Sequence, residues 1–175
     1  LKSLSKEIVI YGFVWVTVHT VEEQIIEQFR QFLKEGNNIG IISEAGCPGI
    51  ADPGQILVHA AHRAGATVKP LVGPNSILLA LMASGLNGQQ FQFVGYLPID
   101  IAQRVKTIKS LEEESARKKC TQIFIETPYR NNALFESLIK TLRPSTFISI
   151  AANLTGPDEF IRTYPVSEWK KQVPD

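Results

Sequence analysis

Sulfur is scarce in this chain, with two cysteines and one methionine among 175 residues. Cys47 and Cys120 lie far apart and match neither a C-x-x-C pair nor a Cys/His metal-ligand spacing, so a disulfide scaffold and a zinc ribbon are both excluded. Histidine is equally sparse. His59 and His62 make one i, i+3 pair without a third ligand beside it, which reads as a solvated helix face, and no metal is expected. No apolar run approaches the roughly 18 residues of a membrane-crossing helix, and no signal peptide is evident. An excess of positive charge is missing too: 18 Lys and Arg stand against 17 Asp and Glu, a net charge of +1. A broad basic face, the usual electrostatic footprint of a nucleic-acid binder, is therefore not available from overall charge. The expected compartment is a reducing cytoplasm. The first residue is Leu, so the chain is not expected to begin at a natural start.

What is present is an alternation of strand-like and helix-like segments. Ile8 to Val18 is rich in Val, Ile, Tyr, Phe, Trp and Thr and suits a strand. Thr20 and Glu23 make a capping-box pattern ahead of Ile25, Ile26, Phe29, Phe32 and Leu33 at helical spacing, and Gly36 closes that helix. Ile39 to Ile42 is apolar on both faces, as expected of a strand inside a parallel sheet. A helix from Ile56 to Ala64, a strand from Thr67 to Val72 and a helix from Ile77 to Ala83 follow, the last capped by Asn75 or Ser76. Asn87-Gly88-Gln89-Gln90 is a polar break and is read as a boundary between domains 1–88 and 89–175. Beyond it the pattern predicts a strand over Phe91 to Leu97, a long charged helix over Asp100 to Lys119, and a strand over Thr121 to Glu126. A turn at Thr127 to Arg130, a helix over Asn131 to Leu142, paired strands at Thr146 to Ala152 and Phe160 to Tyr164, and a short helix from Ser167 complete the chain.

Ser43 to Gly54 is the densest chemical signal. Three glycines and two prolines lie directly behind the Ile39 to Ile42 run in Ser43-Glu44-Ala45-Gly46-Cys47-Pro48-Gly49-Ile50 and Ala51-Asp52-Pro53-Gly54. Gly lets backbone N–H and C=O groups approach a small molecule and Pro fixes the turn, and open α/β sheets bind ligands at the C-terminal ends of their strands. A phosphate cradle fits poorly, because Glu44 would repel phosphate and no Lys follows the glycines. Cys47 reads as a small packing residue.

Taken with Gly73-Pro74-Asn75-Ser76, Ala83-Ser84-Gly85-Leu86, Gly95-Tyr96-Leu97-Pro98 and Ile123-Phe124-Ile125-Glu126-Thr127-Pro128-Tyr129-Arg130, this loop resembles the tetrapyrrole methylase superfamily. Within it the resemblance is to the branch that methylates a ribose 2′-hydroxyl of 16S ribosomal RNA, and it runs from Ile39 to about Thr163. It implies two α/β domains with S-adenosylmethionine (SAM) in a cleft between them. It also implies a first strand–helix unit with a glycine-rich turn, which has no counterpart here and is expected to be missing from this chain. Ser43, Ala45, Gly46, Pro48, Gly49 and Ile50 are then expected along the methionine and sulfonium of SAM. Gly73, Pro74, Asn75, Ser76 and Ala83 are expected along its adenosine, with Pro128, Tyr129 and Arg130 facing the cleft.

Methyl transfer from a sulfonium depends mainly on alignment and exclusion of water, so the chemical demand is a proton acceptor for the hydroxyl. Glu44, Glu126 and Tyr129 are the candidates, with Arg130 as a substrate contact. The bland alternatives are that Glu126 caps the following turn and that Arg130 pairs with a carboxylate. The resemblance implies a homodimer acting on ribosomal RNA or the small ribosomal subunit. Two other readings stay open, a methyltransferase of a tetrapyrrole or other small molecule and a SAM-binding protein without catalysis. Five positions depart from the branch's pattern: Glu44 replaces an Asp, Cys47 replaces a Thr, and Ala152, Asn153 and Gly156 stand where Arg, Glu and Lys are usual.

Overall fold

In a computed structural model of the protein, the described residues are 12–18, 23–43 and 45–172. They fall into two compact units, Leu1–Gly73 and Pro74–Asp175. Among them no helix is long and apolar enough to cross a membrane, and no group of three His, Cys, Asp or Glu could hold a metal ion.

In the first unit the helical spacing of apolar residues produces α1 (Glu23–Lys34) and α2 (Gln55–Arg63). Phe29 of α1 and Leu57, Ala60 and Ala61 of α2 are buried together, with Ile25, Ile26, Leu33 and Ile41 packed around them. Gly65, at φ 73°, ends α2 in the left-handed region, where Gly pays no Cβ penalty, and the Ala66 N–H returns to Ala61 O at 3.0 Å. The strands expected at Ile39–Ile42 and Thr67–Val72 form no ladder among the described residues, and neither does Gly12–Val18; Thr20 and residues 1–11 lie outside them. A strand is defined by pairing, and apolar character alone cannot supply a neighbour. Ile42 is accordingly 60 % exposed and Leu71 90 %.

The second unit holds the helices α3 (Ser76–Ser84), α4 (Ile101–Lys118), α5 (Asn131–Thr141) and α6 (Val166–Trp169). Its strands are β1 (Phe91–Tyr96), β2 (Thr121–Ile125), β3 (Phe147–Ala152) and β4 (Phe160–Pro165). β1 and β2 are parallel, joined by the α4 crossover, and β3 and β4 are antiparallel, as their order along the chain leads one to expect. Asn75 caps α3, its side chain accepting from the Ile77 and Leu78 N–H groups at 3.0 and 3.2 Å, and Gly85 at φ 70° ends it. Helix α3 packs on β3 and β4, where the Thr163 hydroxyl donates to Ser84 O at 2.8 Å. The polar Asn87–Gln90 stretch lies inside this unit. Asn87 Nδ2 donates to Lys119 O at 2.7 Å and the Thr121 hydroxyl donates to Asn87 O at 2.9 Å, tying the entry of β1 to that of β2.

Leu97, Ile108, Leu134, Leu138, Ile148, Val166 and Trp169 form the core of this unit. Trp169 packs edge-on to Phe135 and Tyr164, and its indole N–H donates to Ile148 O at 3.0 Å, so its one polar atom is satisfied in the interior. Arg104 is buried between α4 and α5, its Nε donating to Ser137 Oγ at 3.0 Å and its guanidinium to Ile99 O at 3.2 Å. Glu112 ties α4 to the turn before β3. It accepts from the Arg143 N–H at 2.9 Å and from the Thr146 hydroxyl, and pairs with the Arg143 guanidinium at 3.2 Å. Burial pushes the Glu112 carboxyl up, but the Thr146 hydroxyl and the Arg143 N–H and guanidinium together outweigh it and leave the group below its ordinary value.

A carboxyl held low in the folded state stabilises above its unfolded pKa, and that contribution is lost as pH falls through the folded value. Glu112→Gln should therefore lower stability by about 1–3 kcal/mol near neutrality. The gap to the wild type should close progressively on acidification below the ordinary carboxylate range, read from urea midpoints at a series of pH values.

Candidate functional site

The Ser43–Gly54 segment is built from backbone turns. Its Ile50 N–H donates to Cys47 O at 3.1 Å, closing a turn with Pro48 and Gly49 at its centre, and Gly49 has φ 78°. Pro at the second position and Gly at the third suit a type II turn, which needs a positive φ there. Gly46 has φ 74° with open space where a Cβ would stand. The Ser43 hydroxyl donates to Ala45 O at 2.9 Å, holding the entry of the loop. Ala45, Gly46, Pro48 and Ile50 are exposed, whereas Gly54 is buried and leads into α2 through its carbonyl, which accepts from Val58 N–H at 3.0 Å. Ala51 takes φ 55°, an uncommon value for a residue with a Cβ.

This loop reaches the end of the first unit. Cys47 Sγ lies 3.8 Å from Gly73 O and donates to it, and a Cβ on Gly73 would meet the same sulfur at 3.8 Å. Two segments that the sequence singles out separately are thus in contact, with Cys47 as the packing residue between them. Glu44 lies outside the described residues. Pro74, Asn75, Ser76, Ala83 and the Glu126 to Arg130 segment belong to the second unit. There Asn75 spends its side chain on the α3 cap, and Ser76 and Ala83 are exposed.

The other constellation stands at the C-terminal ends of β1 and β2. From Phe93↔Ile123 to Tyr96↔Ile125, β1 advances three residues while β2 advances two, and Gly95 at φ 73° lies within that irregularity. Tyr96 therefore ends β1 beside the end of β2. From there Glu126 leads into a single 3-10 turn, Pro128–Arg130. Its Oε1 accepts from the Thr127 N–H at 2.8 Å and the Thr127 hydroxyl at 3.4 Å, and pairs with the Arg130 guanidinium at 2.6 Å. Arg130 Nε donates to Thr127 Oγ1 at 3.2 Å. Glu126 thus fixes the arginine and accepts from the Thr127 N–H, while the turn's N-cap residue, Thr127, makes no side-chain cap hydrogen bond. The guanidinium carbon lies 5.9 Å from the ring centres of both Tyr96 and Tyr129. Tyr96 and Thr127 were not among the expected site residues, although a Gly inside a strand is a sign that the backbone is being re-aimed. A cavity of about 340 Å³ elsewhere in this unit, beside Ile108, Glu112, Phe124 and Leu138, includes none of the expected site residues.

Chains of this pattern occur among known proteins. A protein named ribosomal RNA small subunit methyltransferase I from Escherichia coli is 36% identical over 154 residues, covering 86% of this chain and 52% of its own length. Proteins of the same name from Halalkalibacterium halodurans and Micromonospora olivasterospora are 39% and 38% identical, covering 74% and 81% of this chain. The chain is homologous to these proteins named ribosomal RNA small subunit methyltransferase I. It spans about half the length of these curated relatives. The solved structure of the methyltransferase CobJ matches 87% of the chain and 66% of its own at a TM-score of 0.58 and 21% identity, which places the fold with the α/β methylases. No protein-family model matches the chain.

Because the loop depends on left-handed glycine at this position, Gly49→Ala should cost about 1–2 kcal/mol. A Cβ there would meet only Gln55 N, at an ordinary 3.8 Å, so the loss is one of backbone strain. A lowered urea midpoint with an unchanged m-value would show it.

Proposed function

We propose that this chain carries the cofactor-binding and methyl-transferring part of a SAM-dependent methyltransferase acting on a ribose 2′-hydroxyl of small-subunit ribosomal RNA. The observation that carries the proposal is the homology to these methyltransferases together with the Ser43–Gly54 loop, whose exposed backbone matches the chemistry of SAM. Carbonyls of a Gly/Pro loop suit a cationic sulfonium and N–H groups suit a carboxylate, and at Gly46 no side chain stands in the way. In this reading Ser43, Ala45, Gly46, Pro48, Gly49, Ile50 and Gly73 hold the methionine side. Pro74, Asn75, Ser76, Ala83 and Pro128 line the remainder.

SAM supplies a methyl group on a positively charged sulfur that leaves as a neutral thioether. The protein's tasks are to hold the acceptor oxygen in line, exclude water and receive the hydroxyl proton. Glu44, Glu126 and Tyr129 are the proposed proton acceptors. Among the described residues the Glu126 carboxylate makes its hydrogen bonds and ion pair through Oε1, and Oε2 is the oxygen proposed for that task. Arg130, fixed by Glu126, is the proposed substrate contact. The working enzyme is proposed to be a cytoplasmic homodimer.

Calorimetric titration with SAM should give saturable binding to the wild type and to Glu126→Gln alike, while methyl transfer to small-subunit RNA should fall about 100-fold or more in Glu126→Gln, the scale of general-base catalysis. No heat of binding in the wild type would end the methyltransferase reading. Full transfer in both Glu126→Gln and Glu44→Gln would remove the carboxylates from the proton's path.

A further inference from the structure

Arg130 is normally the kind of residue that grips a phosphate, yet here its charge is already answered. Its guanidinium pairs with Glu126, whose side chain is only 7% exposed, and it is held again by the Thr127 hydroxyl. A fork fixed on two sides has little freedom to chelate a phosphate, and its field is largely cancelled at short range. What it still offers is a fixed plane with two aromatic rings beside it, each ring centre 5.9 Å from the guanidinium carbon. Those rings are open: Tyr96 is 56% exposed and Tyr129 84%. Large aromatics left in water at the C-terminal ends of parallel strands, around an immobilised guanidinium, suit a planar aromatic ligand.

The charge balance supports the same assignment. With 18 basic and 17 acidic residues, the chain has no electrostatic excess with which to hold a polyanion. A protein that binds RNA under that constraint must draw affinity from elsewhere, and base stacking is the sequence-tolerant source that aromatic side chains and Arg provide. Wide exposure also favours a ligand that brings its own bulk over a small cofactor that needs enclosure. Resting on the reading of the chain as an RNA methyltransferase, we infer that Tyr96, Arg130 and Tyr129 form a stacking platform for an unpaired RNA base next to the acceptor ribose. Glu126 is its positioning residue. Tyr96 is thereby given a role in substrate recognition, and the arginine serves as a plate more than as a charge.

The test measures fluorescence anisotropy of a labelled, unpaired oligoribonucleotide against the wild type, Tyr96→Leu, Tyr129→Leu and Tyr96→Phe, with SAM titrated calorimetrically into each. Both Leu variants should bind the RNA about tenfold or more weakly, the scale of losing one stacked base. Tyr96→Phe should stay near the wild type, SAM affinity should be unchanged in all, and the slope of log K against log salt should be shallow and the same in each. Tyr129 is exposed enough that its substitution leaves the core untouched, so an unfolded Tyr96→Leu would not block the test. RNA binding at wild-type strength in Tyr129→Leu, or joint loss of SAM and RNA, would overturn the platform. Tyrosine-dependent RNA binding in a wild type that transfers no methyl to small-subunit RNA would support the platform and defeat the methyltransferase reading instead.

Discussion

Parallel pairing of β1 with β2 is the constraint on which the second unit of this protein depends. Parallel strands cannot be joined by a hairpin, so α4 must cross between them, and its inward residue Ile108 becomes part of the core with Leu134, Leu138 and Trp169. The same geometry puts both strands' C-terminal ends on one edge. Tyr96 and the Glu126–Arg130 turn are neighbours for that reason, although about thirty residues separate them in sequence. The extra residue around Gly95 completes the arrangement by bringing Tyr96 opposite Ile125. A single carboxylate, Glu126, then turns that edge into a fixed constellation.

The first unit reaches a comparable end by different means. Its described residues contain two packed helices and a loop shaped by Gly46, Pro48 and Gly49, and the loop touches Gly73 through the Cys47 sulfur. Side chains contribute little chemistry there. In the proposed reading, exposed peptide groups would carry the binding capacity, which suits a cofactor that presents a cation at one atom and a carboxylate at another.

Helices were legible because amphipathic spacing and capping residues are local: Asn75, Asp100 and the left-handed Gly85 all act within a turn of the elements they bound. The strands of the second unit were legible for the same reason, and the order of β3 and β4 made antiparallel pairing the simple expectation. Ile39–Ile42 and Thr67–Val72 were not, since an apolar run states only that burial is favourable and says nothing about whether a neighbour is present to pair with. That Arg130 would pair with Glu126 depends on the 3-10 turn and was not visible in the residue types. Nor was the approach of Tyr96, which depends on strand register. Ala152, Asn153 and Gly156 lie at the end of β3 and in the following turn, where Asn153 adopts φ 52° and Gly156 N–H donates to Asn153 O at 2.9 Å. That turn is shaped by its backbone, and a Cβ at Gly156 would crowd Asn153 O at 3.0 Å.

The central claim is that this chain serves methylation of ribosomal RNA, and it is tested most directly by mapping 2′-O-methylated riboses in small-subunit RNA from cells with and without the gene for this protein. The account predicts that one ribose methyl group disappears on deletion and returns when the intact gene is restored. A methylation map identical in the two strains would contradict it.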